Sequence, residues 1–281
     1  MTPRVLIASD LDRTLIYSAA AATEGAAGEP HPLVVVEHLD GRPLSYMCAE
    51  AAGRLAELAR DQVVVPVTTR TSRQLARVRL PGPPPGYAVA ANGGVLLVGG
   101  RPDAAWAASV RSAVGAVAPL DAAVSAMTAA CDPAWAGSPR VAEDLFCYVV
   151  ADRTAVPPGV LDGLGSWADR AGWIMSLQGR KLYLVPAPLT KSAAVAEVAR
   201  RAGTGLTLAA GDSLLDIDLL AAADRGVRPG HGEIAGSGWS APWVDELATR
   251  GVAAGRDIIA WFADRVAEHT ADGGLRCRRP A

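Results

Sequence analysis

The chain has 281 residues, with 27 lysines and arginines against 29 aspartates and glutamates, for a formal net charge of -2. So even a balance argues against a nucleic-acid binder held by bulk charge, and an apolar share of 50% with only 20% charged residues excludes a broadly disordered chain. The length suits one large domain or two small ones.

Val5 to Ala8 is a short apolar, β-rich run that ends in Ser9-Asp10-Leu11-Asp12, the pattern of a buried parallel strand with acids at its C-terminal tip. Open α/β sheets bind ligands at such tips. Leu33 to His38 and Arg42 to Tyr46 flank Asp40-Gly41, a type I′ turn signal, which predicts a β-hairpin serving as a flap. A helix from Cys48 to Arg60 and a strand from Val63 to Thr68 then complete a βαβ unit. Ser72 to Arg79 reads as a short helix stopped by the Pro81 to Gly86 cluster, and Tyr87 to Val98 as a strand pair around Asn92-Gly93-Gly94.

From Arg101 to Ala130 the chain is alanine-rich, giving two helices split near Pro119. A strand at Leu145 to Val150, a helix at Gly159 to Ala171, and two strands, Trp173 to Leu177 and Lys181 to Val185, make a small α+β unit. The helix Lys191 to Ala202 follows, with Thr190 as N-cap and Gly203 as stop signal. Leu206 to Ala210 resumes the buried-strand pattern, ends in Gly211-Asp212-Ser213, and precedes a helix from Leu214 to Ala223. The reading is a discontinuous core, residues 1–99 and 186–270, carrying an insertion at 100–185, with a flexible tail at 271–281.

Cys48, Cys131, Cys147 and Cys277 show no metal-site or disulfide-framework spacing and read as reduced thiols. With no signal-peptide pattern at the N-terminus and the uncharged stretch 81–100 broken by prolines and glycines, the expected location is cytoplasmic, with no membrane partner. Only Lys181 and Lys191 among the 27 basic residues are lysines. In a chain that otherwise uses arginine, each is a candidate for a task needing a compact point charge.

Asp10, Asp12, Thr68, Lys191, Asp212 and Asp216 all fall at strand tips or helix starts of one predicted parallel sheet. Converging carboxylates need a hard cation, and oxygen ligands without nitrogen suit Mg²⁺. Lysine and threonine beside them suit a phosphoryl group, so the set fits phosphoryl transfer. A cation at a helix N-terminus opposes the macrodipole, so Lys191 itself points to an anionic neighbour.

With these residues the sequence resembles the haloacid dehalogenase (HAD) superfamily of phosphohydrolases. Asp10-Leu11-Asp12-Arg13-Thr14 matches the D-x-D-x-T motif, Thr68 the second motif, Lys191 the third, and Gly211-Asp212-Ser213 with Asp216 the fourth. Each recurs by chance alone; four in order at successive strand ends carry the resemblance over about two-thirds of the chain. It implies an α/β fold with a Rossmann-like parallel-sheet core and an inserted α+β cap of the C2 type, as in the Cof-type, sucrose-phosphate and mannosyl-3-phosphoglycerate phosphatases. Thr68-Thr69-Arg70-Thr71 looks most like the last of these.

The resemblance further implies a phosphatase acting on a small phosphorylated metabolite, with a sugar phosphate or glycosyl-phosphoglycerate favoured. Asp10 is then the nucleophile and Asp12 the general acid and base, its backbone carbonyl a Mg²⁺ ligand. Thr68 and Lys191 hold the phosphoryl oxygens, and Asp212 completes the metal site with Asp216 as ligand or outer support. Thr14, Arg70 and Asn92 are the candidate substrate-side residues, Thr14 ordering the loop after the first strand. Two departures stand out: Arg13 where many relatives carry glycine, and Leu215 where Cof-type relatives carry asparagine. A phosphomutase using the same residues is the first rival, and a non-catalytic phospho-aspartate module of the receiver type is the second. Lys181 and His231 read as surface residues, Asp218 as a first-turn acid favoured by its helix dipole, and Trp106, Trp135, Trp167 and Trp173 as packing.

Overall fold

A computed structural model describes residues 4–25, 31–271 and 273. The chain divides into two compact units, one built from the residues up to Pro102 and from Lys191 onward, the other from Asp103–Thr190. The crossings therefore fall at 102/103 and 190/191, not at the expected 99/100 and 185/186. Arg101–Pro102 pairs back onto Leu97 and Val98 as a third strand of a small meander, and so belongs with the first unit.

The first unit is organised by a five-stranded parallel sheet. Its order is Val244–Glu246, Arg225–Arg228, Leu206–Ala210, Val5–Ser9 and Val63–Pro66. Val5–Ser9 pairs on both sides and is buried along its whole length, as its unbroken run of small and branched residues requires. The helix Gly251–Ala271, to which the sequence reading assigns no element, packs against Ala49–Asp61 and buries Ile258, Ile259, Trp261 and Phe262. Gly255 lets this helix approach Tyr17 closely, since a Cβ there would come within 2.9 Å of the ring.

Leu33–Leu39 and Arg42–Cys48 form the expected antiparallel hairpin, and Asp40 and Gly41 take φ of 50° and 75°, both left-handed as a type I′ turn needs. Two helices differ from expectation. The one expected over Ser72 to Arg79 stops at Leu75, because Val78 bridges to Glu37 and the Arg79 N–H donates to the Val36 carbonyl at 2.7 Å, which draws the chain onto the hairpin. The one expected over Leu214 to Ala223 begins as a 3-10 turn, Leu214–Asp216, before Ile217–Ala222 becomes α-helical, because Asp216 folds back to cap Ser213.

The second unit is a four-stranded antiparallel sheet, ordered Trp173–Gln178, Lys181–Pro186, Phe146–Val150 and Arg140–Ala142, with the helices Ala104–Val114, Leu120–Ala130 and Val160–Ala171. Trp173 lies 6.3 Å ring to ring from Trp167 and donates its indole N–H to the Ala118 carbonyl, so these two tryptophans do pack the unit, and Trp135 is buried as well. Lys181 does not stand free in solvent as expected: it is half-buried, with its ammonium 5.6 Å from the Tyr148 ring centroid. Cys48, Cys131 and Cys147 form no disulfide; Cys277 and the tail beyond Ala271, apart from Gly273, lie outside the described residues. Among the described residues no helix is long and apolar enough to cross a membrane.

Candidate active site

Register fixes where the motif residues meet. Val5–Ser9 runs parallel to Leu206–Ala210, with Ser9 opposite Ala210, and the Asp10 N–H donates to the Ala210 carbonyl at 2.9 Å. Asp10 and Gly211-Asp212 therefore leave adjacent strands at the same level. On the other side the Val67 N–H donates to the Ser9 carbonyl at 2.8 Å, which sets Thr68 at the neighbouring tip.

Lys191, the first residue of its helix, is fully buried among these tips. Its Nζ donates to Asp10 Oδ1 at 2.7 Å and also to Asp216 Oδ1. The remaining Asp216 oxygen, Oδ2, accepts from the Asp212 N–H at 3.2 Å and from the Ser213 N–H and hydroxyl at 2.9 and 2.7 Å. Both Asp216 oxygens are thus engaged by protein donors. Asp10 and Asp212 are less committed: Asp10 Oδ2 has no donor among the described residues, and Asp212 has Arg13 Nε only at 3.5 Å.

Carboxylate oxygens of Asp10, Asp212 and Asp216 lie within 4.8 Å of one another, all three residues buried. One lysine and a distant guanidinium do not balance three carboxylates. Burial, only partly offset by Lys191 and aggravated by Asp216, pushes Asp10 up to about 7; burial, then Asp10 and Asp216, raise Asp212 well above the usual carboxylate range. An oxygen-only set with surplus negative charge fits a hard divalent cation.

Two glycines shape this corner. A Cβ on Gly211 would come within 2.3 Å of Asp216 Cβ, and one on Gly232 within 2.4 Å of the Asp212 carbonyl oxygen. Gly232 also has φ 90° and ψ -178°, a conformation open essentially to glycine alone. His231 beside it is not the surface residue expected. It is buried, its Nδ1 accepts from the Gly251 N–H at 3.2 Å, and its Nε2 therefore carries the proton and donates to the Arg13 carbonyl at 2.7 Å. This bond holds Arg13 in its left-handed conformation, φ 63°, where a glycine would need no such help. Arg13 in turn pairs with Glu24 at 2.7 Å.

The three residues read as substrate-side each have protein partners in the structure. Thr14 is fully buried beneath the loop, its carbonyl accepting from the Tyr17 hydroxyl at 2.9 Å and its Oγ1 without a partner. Asn92 is buried with φ 54°, and its N–H donates to the Thr68 carbonyl at 2.9 Å, so it braces the second motif. Arg70 is engaged by two acids: Nε and Nη2 each donate at 2.7 Å to the two oxygens of Asp12, and Nη1 donates at 2.8 Å to Glu37. Thr68 is buried, and its Oγ1 accepts from the Arg70 N–H at 3.1 Å, leaving its own hydroxyl proton to donate elsewhere. Asp218, beyond its dipole role, accepts from the Ser192 N–H at 2.7 Å and so anchors the helix that presents Lys191.

No family model matches the sequence. Solved structures do. The Synechocystis sucrose-phosphatase, determined with sucrose and phosphate, matches with a TM-score of 0.64 at 18% identity, over 94% of this chain and 99% of that one. A sugar phosphatase of HAD subclass IIB matches with a TM-score of 0.54 at 14% identity, over 97% and 100%. The C-terminal domain of C. albicans trehalose-6-phosphate phosphatase matches with a TM-score of 0.53 at 12% identity, over 94% of each. This chain shares the fold of these three structures. The α/β architecture expected from the motifs is thus present, and its parallel sheet is what brings Asp10, Lys191, Asp212 and Asp216 to one corner.

Proposed function

We propose that the protein is a Mg²⁺-dependent phosphomonoester hydrolase that works through an aspartyl-phosphate on Asp10, acting on a small phosphorylated metabolite. The observation that carries this reading is the buried Asp10, Asp212, Asp216 and Lys191 cluster at the tips of two paired parallel strands, with more negative charge than the protein itself neutralises. Asp212 and Asp10 Oδ1, which keeps acceptor capacity beside Lys191, would hold the cation together with the Asp12 carbonyl and leave Asp10 Oδ2 for the attack, while Asp216, with both oxygens occupied, supports Lys191 and the Asp212 backbone from outside. Bound there, Mg²⁺ supplies charge neutralisation for the acids and the phosphoryl oxygens.

Asp10 Oδ2 attacks phosphorus and the bond from phosphorus to the leaving oxygen breaks, Asp12 donating its proton to that oxygen. Water then attacks the aspartyl-phosphate, Asp12 takes the water proton, and the phosphorus bond to Asp10 breaks, releasing phosphate. Lys191, pinned to Asp10 Oδ1, and the Thr68 hydroxyl supply fixed donors to the phosphoryl oxygens.

In the second unit the register places Ser176, Gln178, Lys181, Tyr183 and Tyr148 on one sheet face, with Met175, Leu182, Leu184 and Cys147 on the other. We read this unit as the cap, and the polar and aromatic residues on that face, which also carries Ile174, Val185 and Val150, as able to recognise a hydroxylated leaving group. A sugar phosphate or glycosyl-phosphoglycerate suits it, as do the sugar-phosphate names of the similar structures. We take the protein to work in the cytoplasm, in keeping with its free cysteines.

The test is phosphate release from a panel of sugar phosphates, phosphoglycerate conjugates and nucleotides, with and without Mg²⁺, for the wild type and Asp10→Asn. Release that requires Mg²⁺ and disappears in the variant is expected. An isomerised sugar phosphate in place of free phosphate would make the enzyme a mutase, and a stable phosphoprotein without turnover would make it a signalling module.

A further inference from the structure

We propose that Glu37, carried by the flap hairpin, is a positioning residue for Asp12 that acts through Arg70, so that the hairpin is part of the proton-transfer apparatus. The inference rests on the phosphatase reading above. Glu37 lies at a register irregularity, between Val35 and His38, and the bulge lets Val36 and Glu37 face inward in succession, which a regular strand forbids. Its side chain is wholly buried and accepts three hydrogen bonds, from Ser45 Oγ at 2.7 Å, Arg70 Nη1 at 2.8 Å and Arg77 Nε at 3.0 Å. Arg77 reaches it because the short helix ends at Leu75 and the chain beyond bridges to the hairpin.

A buried carboxylate with three donors has no freedom, and what it fixes is the far edge of the Arg70 guanidinium. The near edge grips Asp12 side-on through Nε and Nη2. Asp12 is half exposed, its side chain 51% accessible, so the two-point grip of the fork fixes the plane of its carboxylate. The fork takes one bond to each Asp12 oxygen, and a carboxylate oxygen has capacity for more than one, so the grip does not itself bar proton transfer. Glu37 thus sets the plane of Arg70, and Arg70 sets the aim of Asp12. A simple brace between hairpin and core would account for the ion pairs as well, and the two roles differ in what they do to the proton step.

The test compares wild type, Glu37→Gln and Arg70→Lys on a hexose phosphate, whose alkoxide must be protonated to leave, and on p-nitrophenyl phosphate, whose phenolate leaves without a proton. General acid–base catalysis contributes on the order of 10²–10⁴. With its aim spoiled, kcat/KM, which reports the steps up to phosphoryl transfer to Asp10, should fall at least about tenfold on the hexose phosphate and be largely retained on p-nitrophenyl phosphate, while kcat falls on both because Asp12 also takes the water proton in the shared second step. Arg70→Lys keeps the charge but loses the fork, and should show the same split. Equal losses of kcat/KM on both substrates, or no loss on either, would overturn the proposal. A second readout is independent of turnover: slow hydrogen exchange at Arg70 Nε–H, read by ¹⁵N NMR, should accelerate in Glu37→Gln, and unchanged exchange would refute the relay. A wild type inactive on every ester would instead refute the phosphatase reading, with the coupling of Glu37 to Arg70 still judged by the exchange rate.

Discussion

Replacing Lys191 by methionine keeps the length of the side chain and removes its charge from the most crowded part of the acid cluster. Lys191 is fully buried, with Nζ 2.7 Å from Asp10 Oδ1 and in contact with Asp216, whose side chain is equally buried. Deleting one member of a buried ion pair costs about 3–5 kcal/mol, because the partner stays behind uncompensated. Here two partners stay behind, so the upper part of that range is expected at pH 8 without metal. The cost should shrink in acid. With Lys191 present, Asp10 already sits at about 7 in the folded state, against 3.8 for a free side chain. The folded protein therefore holds a proton that the unfolded chain releases, and stability falls as pH rises between those values. Without the lysine the folded-state value climbs further and the fall extends to higher pH. At pH 5 Asp10 is neutral in both proteins, and pH 8 lies only one unit above its folded-state value of about 7, so the difference should be smaller by up to about 1.4 kcal/mol, the worth of one pH unit. Urea unfolding followed by circular dichroism at pH 5 and 8 measures both values. A loss below about 1 kcal/mol at pH 8, or an equal loss at both pH values, would refute the claim that Lys191 offsets buried acids.

Mg²⁺ affinity should weaken by up to about tenfold per pH unit below 7, since the cation must displace the Asp10 proton. Titration calorimetry at pH 6 and 8 in buffers of different ionisation enthalpy reads both the affinity and the released proton, and identical affinities at the two pH values would count against Asp10 as a ligand. Gly232→Ala forces a side chain into φ 90° and within 2.4 Å of the Asp212 carbonyl oxygen, so it should cost about 1–3 kcal/mol from the backbone alone and weaken Mg²⁺ binding by moving Asp212. Unfolding and calorimetry together check this, and a variant with normal stability and affinity would show that the loop does not brace Asp212.

The parts of this molecule legible from sequence are those where local pattern and global packing agree. Val5 to Ser9 reads as a buried strand because a parallel strand covered on both faces has no need of polar alternation, and its acids read as a site because carboxylates at such a tip find no partner within their own strand. The hairpin was legible through Asp40-Gly41, whose left-handed turn fixes its register. What escaped reading depends on partners far apart in the chain. Glu37 and Arg70 are 33 residues apart and Lys191 and Asp10 are 181 apart, yet only the second pair carries a spacing that motif order can reveal. A lone glutamate in an apolar strand looks like a register marker facing water; only the bulge, which leaves no mark in composition, turns it inward.

His231 illustrates the same limit from the opposite side. Glycines on either side of it suggest an exposed loop, and here they serve close approach. A Cβ on Gly230 would meet the Ala248 and Leu247 carbonyl oxygens at 2.7 and 2.8 Å, and Gly232 leaves room for Asp212. The histidine between them is drawn into the core to donate to Arg13, and burial lowers its pKa, which keeps it neutral with Nδ1 as acceptor and Nε2 as donor. Arg13, which stands where the resemblance leads one to expect glycine, thus comes with its own support: a left-handed arginine held by a neutral histidine, with its guanidinium directed toward Asp212 and Glu24. The departure becomes intelligible as a second cation beside the acids, weaker and more exposed than Lys191, placed on the side of the cluster that Lys191 does not reach.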